Sequence, residues 1–121
     1  MSGFVYSAET RLATYGTLAP GRANHHQLEG LRGRWLTGTV RGRLIEEGWG
    51  AAMGYPALIL EPQADPVAVH VFESPDLTAH WRRLDGFEGE EYKRVTAAVV
   101  LDGGGEVDAS IYVLAAVRHS E

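Results

Sequence analysis

The chain is expected to fold as an α+β domain: a small mixed, largely closed β-barrel of about six strands, with one full helix and one or more short helices. Three observations predict this. Short runs rich in β-branched residues recur between turn clusters, without the regular strand and helix alternation that a doubly wound parallel sheet requires. Only the segment 74–86 carries a full set of helix-start signals ahead of an apolar face. Glycines at 38 and 42 lie inside the longest strand pattern, where sharp curvature is expected, and closing a curved sheet on itself removes its exposed edges.

The elements follow in order. Residues 1–9 read as a loosely held leader, 10–117 as a single domain and 118–121 as a tail. Leu12 to Tyr15 form a short strand that ends at Gly16, after which "APGRAN" turns the chain. "NHHQLEGL" at 24–31 suits a short helix with Asn24 as its N-cap and Gly30 near its end. Arg34 to Ile45 make a long strand in which Thr37, Thr39 and Val40 favour extension and Gly38 and Gly42 mark bends or bulges. "EEGWGAAMGYP" at 46–56 is loop. "ALILEP" and "VAVHVF" then read as two strands joined by "QADP", which has the composition of a hairpin turn.

The helix of 74–86 starts with Ser74 as N-cap, Pro75 at the first helical position and Asp76 at the positive end of the dipole. Leu77, Trp81 and Leu84 lie at i, i+4 and i+7 on its buried face, and Gly86 is the expected terminator. "YKRVTAAVVL" and "EVDASIYVLA" flank "DGGG" as a closing hairpin, with Val107, Ala109, Ile111 and Val113 facing one way.

Composition narrows the chemistry. The chain has no cysteine, which excludes disulfides, thiolate nucleophiles and iron–sulfur ligation and fits a reducing cytoplasm. Its apolar runs, such as 97–101, are far shorter than the roughly 20 residues of a membrane helix, so no membrane partner is expected. A net charge of −5 argues against nucleic acid as a partner, and the cluster Arg32, Arg34, Arg41 and Arg43 reads as a solvated strand face. "GWGAAMG" is neither a dinucleotide fingerprint nor a P-loop, and the serine hydrolase elbow G-x-S-x-G is absent. His25 and His26 are adjacent, so their rings diverge; with His70 and His80 elsewhere, no metal site is expected.

Two segments retain possible chemistry. In "YGTL", Gly16 permits unusual backbone angles and close ligand approach, so the residues read either as an ordinary strand-to-loop turn or as a nest of N–H groups suited to an anion. Glu88, between Phe87 and Gly89, sits just past the end of the 74–86 helix, where the dipole disfavours negative charge. It is either a solvated glutamate beside Glu90 and Glu91 or, if aromatic packing removes water, a carboxyl with its pKa raised toward that of a general base.

"YGTLAPG", "GTVRGRL", "GYPAL" and "LDGFEGEEYKRV", followed by the closing hairpin, together resemble the γ-glutamylcyclotransferase-like superfamily in its AIG2-like branch, over residues 12–115. The resemblance implies a small mixed barrel with flanking helices and a pocket at one barrel end where the Y-G-T-L loop meets the motif glutamate. Carried over by residue, Tyr15, Gly16, Thr17 and Leu18 would bind substrate, Glu88 would be the acid/base, and Tyr92 would supply a pocket hydroxyl. The implied reaction is attack of the α-amino group of a γ-glutamyl amine, amide or dipeptide on its own side-chain carbonyl, releasing pyroglutamate and an amine or peptide without a cofactor. The 46–56 segment departs from the shorter loops of simple members. Two alternatives stand beside this reading: a non-catalytic module binding a small amino-acid derivative in the same pocket, and γ-glutamyl removal in specialised metabolite biosynthesis.

Overall fold

The computed structural model describes residues 6–15, 25–45, 57–89 and 92–114. Its strands are β1 (Arg11–Thr14), β2 (Arg34–Ile45), β3 (Ala57–Leu60), β4 (Pro66–Glu73), β5 (Tyr92–Leu101) and β6 (Glu106–Leu114), with one α-helix, α1 (Trp81–Glu88). They run in the order β3-β2-β4-β1-β6-β5, and a further pairing of β2 with β5 closes five of them into a barrel, leaving β3 attached to β2. β1 and β6 are parallel and the other described pairs antiparallel, so the sheet is mixed. None of the described helices is long and apolar enough to cross a membrane.

β2 organises the closure. Arg34 to Arg41 pair with β4, while on the other edge Gly38 and Thr39 pair with β5, and Gly42 to Ile45 pair with β3. Of the bend or bulge expected at Gly38, no bulge forms against β4, whose ladder runs unbroken through it. Its glycine serves close approach instead: a Cβ there would lie 2.5 Å from the Val100 carbonyl oxygen. The expected hairpin of "ALILEP" with "VAVHVF" is also corrected. β3 and β4 do not pair with each other; they flank β2 on opposite edges, and residues 61–65 carry the chain across, with Glu61 N–H donating to Arg41 O and Gly42 N–H donating to Asp65 O. The turn chemistry was real, but turn composition does not say which strand each arm will pair with.

The β5–β6 hairpin forms as expected over "DGGG", where Gly104 and Gly105 take φ of +110° and +87°, values that favour glycine. Small and β-branched side chains fill the narrow barrel interior: Ala13, Val40, Leu58, Val69, Val71, Ala97, Val99, Ala109, Ile111 and Val113. Val107 packs against the same cluster, so the expected inward row of β6 holds. A second layer, Leu12, Leu28, Phe72, Leu77, Trp81, Leu84 and Tyr112, joins the helical segments to the outside of β1, β4 and β6. Leu77 and Leu84 are fully buried, each contributing roughly 1.5–3 kcal/mol against exposure.

The 74–86 helix divides in two. Ser74 Oγ accepts from Asp76 N–H at 3.1 Å, as its N-cap role requires, but Pro75–Ala79 form a 3-10 turn, and α1 begins only after His80. Gly86 lies inside α1; Gly89, at φ +86°, ends it, donating its N–H to Asp85 O at 3.1 Å. Glu88 is therefore the last helical residue and not a residue beyond the helix. The expected helix of 24–31 is a 3-10 turn, His25–Leu28, anchored by buried Leu28; its expected cap Asn24 lies outside the described residues.

The four arginines at 32, 34, 41 and 43 are each engaged locally: Arg32 with Asp76 at 2.9 Å, Arg34 with Glu73 at 2.8 Å, Arg43 with Glu61 at 2.7 Å, and Arg41 with the Ala64 carbonyl at 2.9 Å. Glu73, buried between Arg11 and Arg34, is ionised below the usual carboxylate range because their hydrogen bonds outweigh the cost of its burial.

Candidate active site

One end of the barrel gathers the last residues of β1 and β6, the first residues of β3 and β5, and the C-terminus of α1. Tyr15 leaves β1 here. Its phenol donates to the Tyr112 carbonyl at 2.6 Å and accepts the Leu58 N–H at 3.0 Å, tying β6 to β3. Burial pushes its pKa up, and the charges of Tyr92 and Glu88 push the same way, which places both of those side chains within electrostatic reach of Tyr15.

Glu88 is half-buried, and burial raises its carboxyl from 4.5 to about 7. Its position at the helix C-terminus acts in the same sense. Phe87, the adjacent aromatic residue, is itself 38% exposed. The aromatic neighbours that feel Glu88 are Tyr15 and Tyr112, both held neutral by burial, with Asp85 also raising Tyr112. A carboxyl placed so can exchange a proton near neutral pH.

Tyr92, half-buried at the start of β5 and paired with Leu114, packs against the outer apolar layer. Of the expected site residues, Glu88, Tyr15 and Tyr92 therefore come together at this end. Gly16, Thr17 and Leu18 lie outside the described residues, as does the 46–56 segment. A hollow of about 490 Å³ bounded by Thr39, Leu60, Ala97 and Val100 lies away from Tyr92, toward the β5–β6 turn.

Three participants escaped the sequence reading. Asp85, one turn before Glu88, accepts two hydrogen bonds from Arg94, at 2.9 and 3.2 Å, and one from the Tyr112 hydroxyl at 2.6 Å. Arg94 also lies 4.4 Å from the centre of the Trp81 ring. These bonds hold Asp85 ionised below its ordinary range, the Arg94 hydrogen bond leading. The signal was present as Asp85 at i−3 from Glu88 with an arginine early in the next strand, but only the pairing of β5 with β6 brings Tyr112 to them. Among the described residues no three of His, Asp and Glu gather as a metal site would require. His25 instead packs on Trp35, their rings 5.6 Å apart.

Residues 12–121 match the family model described as gamma-glutamyl cyclotransferase, AIG2-like. Solved structures share the fold. An AIG2-like protein of mouse superposes with a TM-score of 0.67 at 22% identity, covering 90% of this chain and 79% of the mouse chain. An uncharacterised protein of Pyrococcus horikoshii gives 0.59 at 20% identity, over 93% of this chain and 83% of its own. YkqA of Bacillus subtilis gives 0.66 at 25% identity over 87% of this chain, which spans 35% of YkqA's length. No curated protein sequence matches the chain.

Proposed function

The chain belongs to the AIG2-like gamma-glutamyl cyclotransferase family, and from that premise we propose that it converts a γ-glutamyl amine, amide or dipeptide into pyroglutamate and a free amine or peptide. The observation that carries this is Glu88: a half-dry carboxyl with a pKa of about 7, at the barrel end shared with Tyr15 and Tyr92.

The reaction is a ring closure. The α-amino nitrogen attacks the side-chain carbonyl carbon of the same γ-glutamyl unit, a five-membered lactam forms, and the bond to the leaving nitrogen breaks. Nucleophile and electrophile belong to one molecule, so a pocket that holds the folded conformer gains an effective molarity of about 10⁵ M or more. Glu88 takes the proton from the attacking ammonium or amine and returns it to the leaving nitrogen. A pKa near neutrality suits both halves of that transfer, because the group must accept a proton and then release it. The backbone N–H groups of Tyr15, Gly16, Thr17 and Leu18 hold the substrate carboxylate or the developing oxyanion; loss of one such donor typically costs about 2.7–4 kcal/mol in the transition state. Tyr92 supplies a hydroxyl to the pocket wall, and no cofactor takes part.

The test is a panel of γ-glutamyl amines, amides and dipeptides incubated with wild-type protein and with Glu88→Gln, with pyroglutamate measured directly. Pyroglutamate from wild type and its loss in the variant are expected. Binding of a panel member without turnover would replace this reading with that of a binding module.

A further inference from the structure

Trp81, Asp85 and Glu88 follow one another at i, i+4 and i+7 and share one stripe of α1. Arg94 lies along that stripe from β5: its guanidinium covers the Trp81 ring and forks onto both carboxylate oxygens of Asp85. Tyr112, from β6, donates to the same Asp85 oxygen. Asp85 thus collects β5, β6 and its own helix a single turn before Glu88. The ion pair is partly exposed, with side chains 29% and 44% accessible for Arg94 and Asp85, so it adds at most about 1 kcal/mol to stability. Its larger effect is on where positive charge sits.

Arg94 is the cation of this network, bound to Asp85 one helical turn before Glu88, whose raised pKa has burial as its cause with no cation acting on it among the described residues. Among the described residues, the groups that feel the Glu88 charge are phenols, Tyr15 from the end of β1 and Tyr112 from β6, and Tyr92 from β5 acts in turn on Tyr15. Tyr15 and Tyr112 stay neutral throughout the range in which Glu88 titrates, because burial raises both. Among the described residues, Asp85 and Arg94 are then the charged pair of this network, one helical turn from Glu88.

We propose that Asp85 is a positioning residue for Glu88: by clamping the Arg94 guanidinium one helical turn back, it denies Glu88 a cationic partner and leaves that carboxyl able to take up a proton. The catalytic consequence rests on Glu88 being the proton shuttle proposed above; the charge arrangement does not.

Carbon-13 carboxyl titration of Glu88 by NMR, in wild type, Asp85→Asn, Arg94→Met and the double variant, tests this independently of turnover. Asp85→Asn frees Arg94 toward Glu88 and is expected to lower the Glu88 midpoint by about one unit. Arg94→Met leaves the Asp85 carboxylate unpaired nearby and is expected to raise it, and the double variant returns close to wild type. The acid limb of kcat/KM should move in parallel. Single variants that leave the midpoint unmoved, or that both lower it as a general loosening would, overturn the proposal. Should Asp85→Asn fail to fold, Arg94→Met decides alone, and an unchanged or lowered midpoint rejects the clamp. Midpoints that move as stated while no variant or wild type forms pyroglutamate uphold the clamp and reject the cyclotransferase reading instead.

Discussion

The Tyr15 phenol donates to the backbone carbonyl of Tyr112 across 2.6 Å, joining the end of β1 to its parallel neighbour β6 beyond the last paired residues of that ladder. The same oxygen accepts the Leu58 N–H at 3.0 Å, so one side chain satisfies a donor on β3 and an acceptor on β6. Tyr15→Phe keeps the ring and leaves both backbone groups without that partner. A loss of about 1–3 kcal/mol is expected, read as a lower midpoint in urea with an unchanged slope. An unaltered midpoint would mean that water replaces the phenol at no cost.

Glu88 acts in the proposed reaction as its carboxylate. With a pKa near 7, kcat/KM should be level above neutrality and fall about tenfold per pH unit below it. The profile should be measured on the free-enzyme parameter, since kcat alone reports the bound state. Glu88→Gln should lower the plateau by about 10²-fold or more and abolish the acid limb. A limb that persists in Glu88→Gln would assign the titration to another group.

Much of this architecture was legible before folding. The six strands, the Ser74–Pro75 helix start, the buried row Leu77, Trp81 and Leu84, and the inward row of β6 all follow from local rules of periodicity and capping. The readings that failed concerned partners, which local rules do not encode. "QADP" looks like a hairpin turn, yet its two arms bond to opposite edges of β2. Gly86 looked like a terminator, but helical hydrogen bonding continues to Gly89, whose positive φ makes the actual stop. Glu88 stood out from its place beside a helix end; the phenols that feel its charge, Tyr15 and Tyr112, lie 73 positions before it and 24 after it in the chain and are brought together by the parallel β1–β6 pair.

The barrel seam offers a direct test of closure. Gly38 faces Leu101 and Thr39 faces Val100, and these two residue pairs are the described register between β2 and β5. A methyl group on Gly38 would stand 2.5 Å from the Val100 carbonyl oxygen and 2.9 Å from a Val99 methyl. The carbonyl belongs to a paired strand and cannot swing aside as a flexible side chain would. Gly38→Ala should therefore destabilise the domain by about 1–3 kcal/mol through overpacking, despite alanine's smaller unfolded-state entropy. Amide hydrogen exchange should show β5 losing protection before β6, and equal loss across the whole sheet would argue that the seam does not open first.

Glu88 should also tie stability to pH in the sense opposite to most carboxylates. Its folded pKa, about 7, lies above the value of 4.5 for a free side chain. Below the lower value both states are protonated and the group contributes no difference. Between the two, the unfolded chain ionises while the folded one retains its proton, so folding is penalised progressively, and the full cost is reached above pH 7. That cost is about 2 kcal/mol for a carboxyl only half removed from water. Glu88→Gln carries no charge to desolvate, so it should be more stable than wild type at pH 8 and little different at pH 4.5. Urea midpoints at the two pH values measure this, and a variant with the same advantage at both would show that packing, and not ionisation, sets the effect. The group proposed to accept the proton would thus cost stability at the pH where the proposed reaction runs, the trade expected of a carboxyl held dry for chemistry.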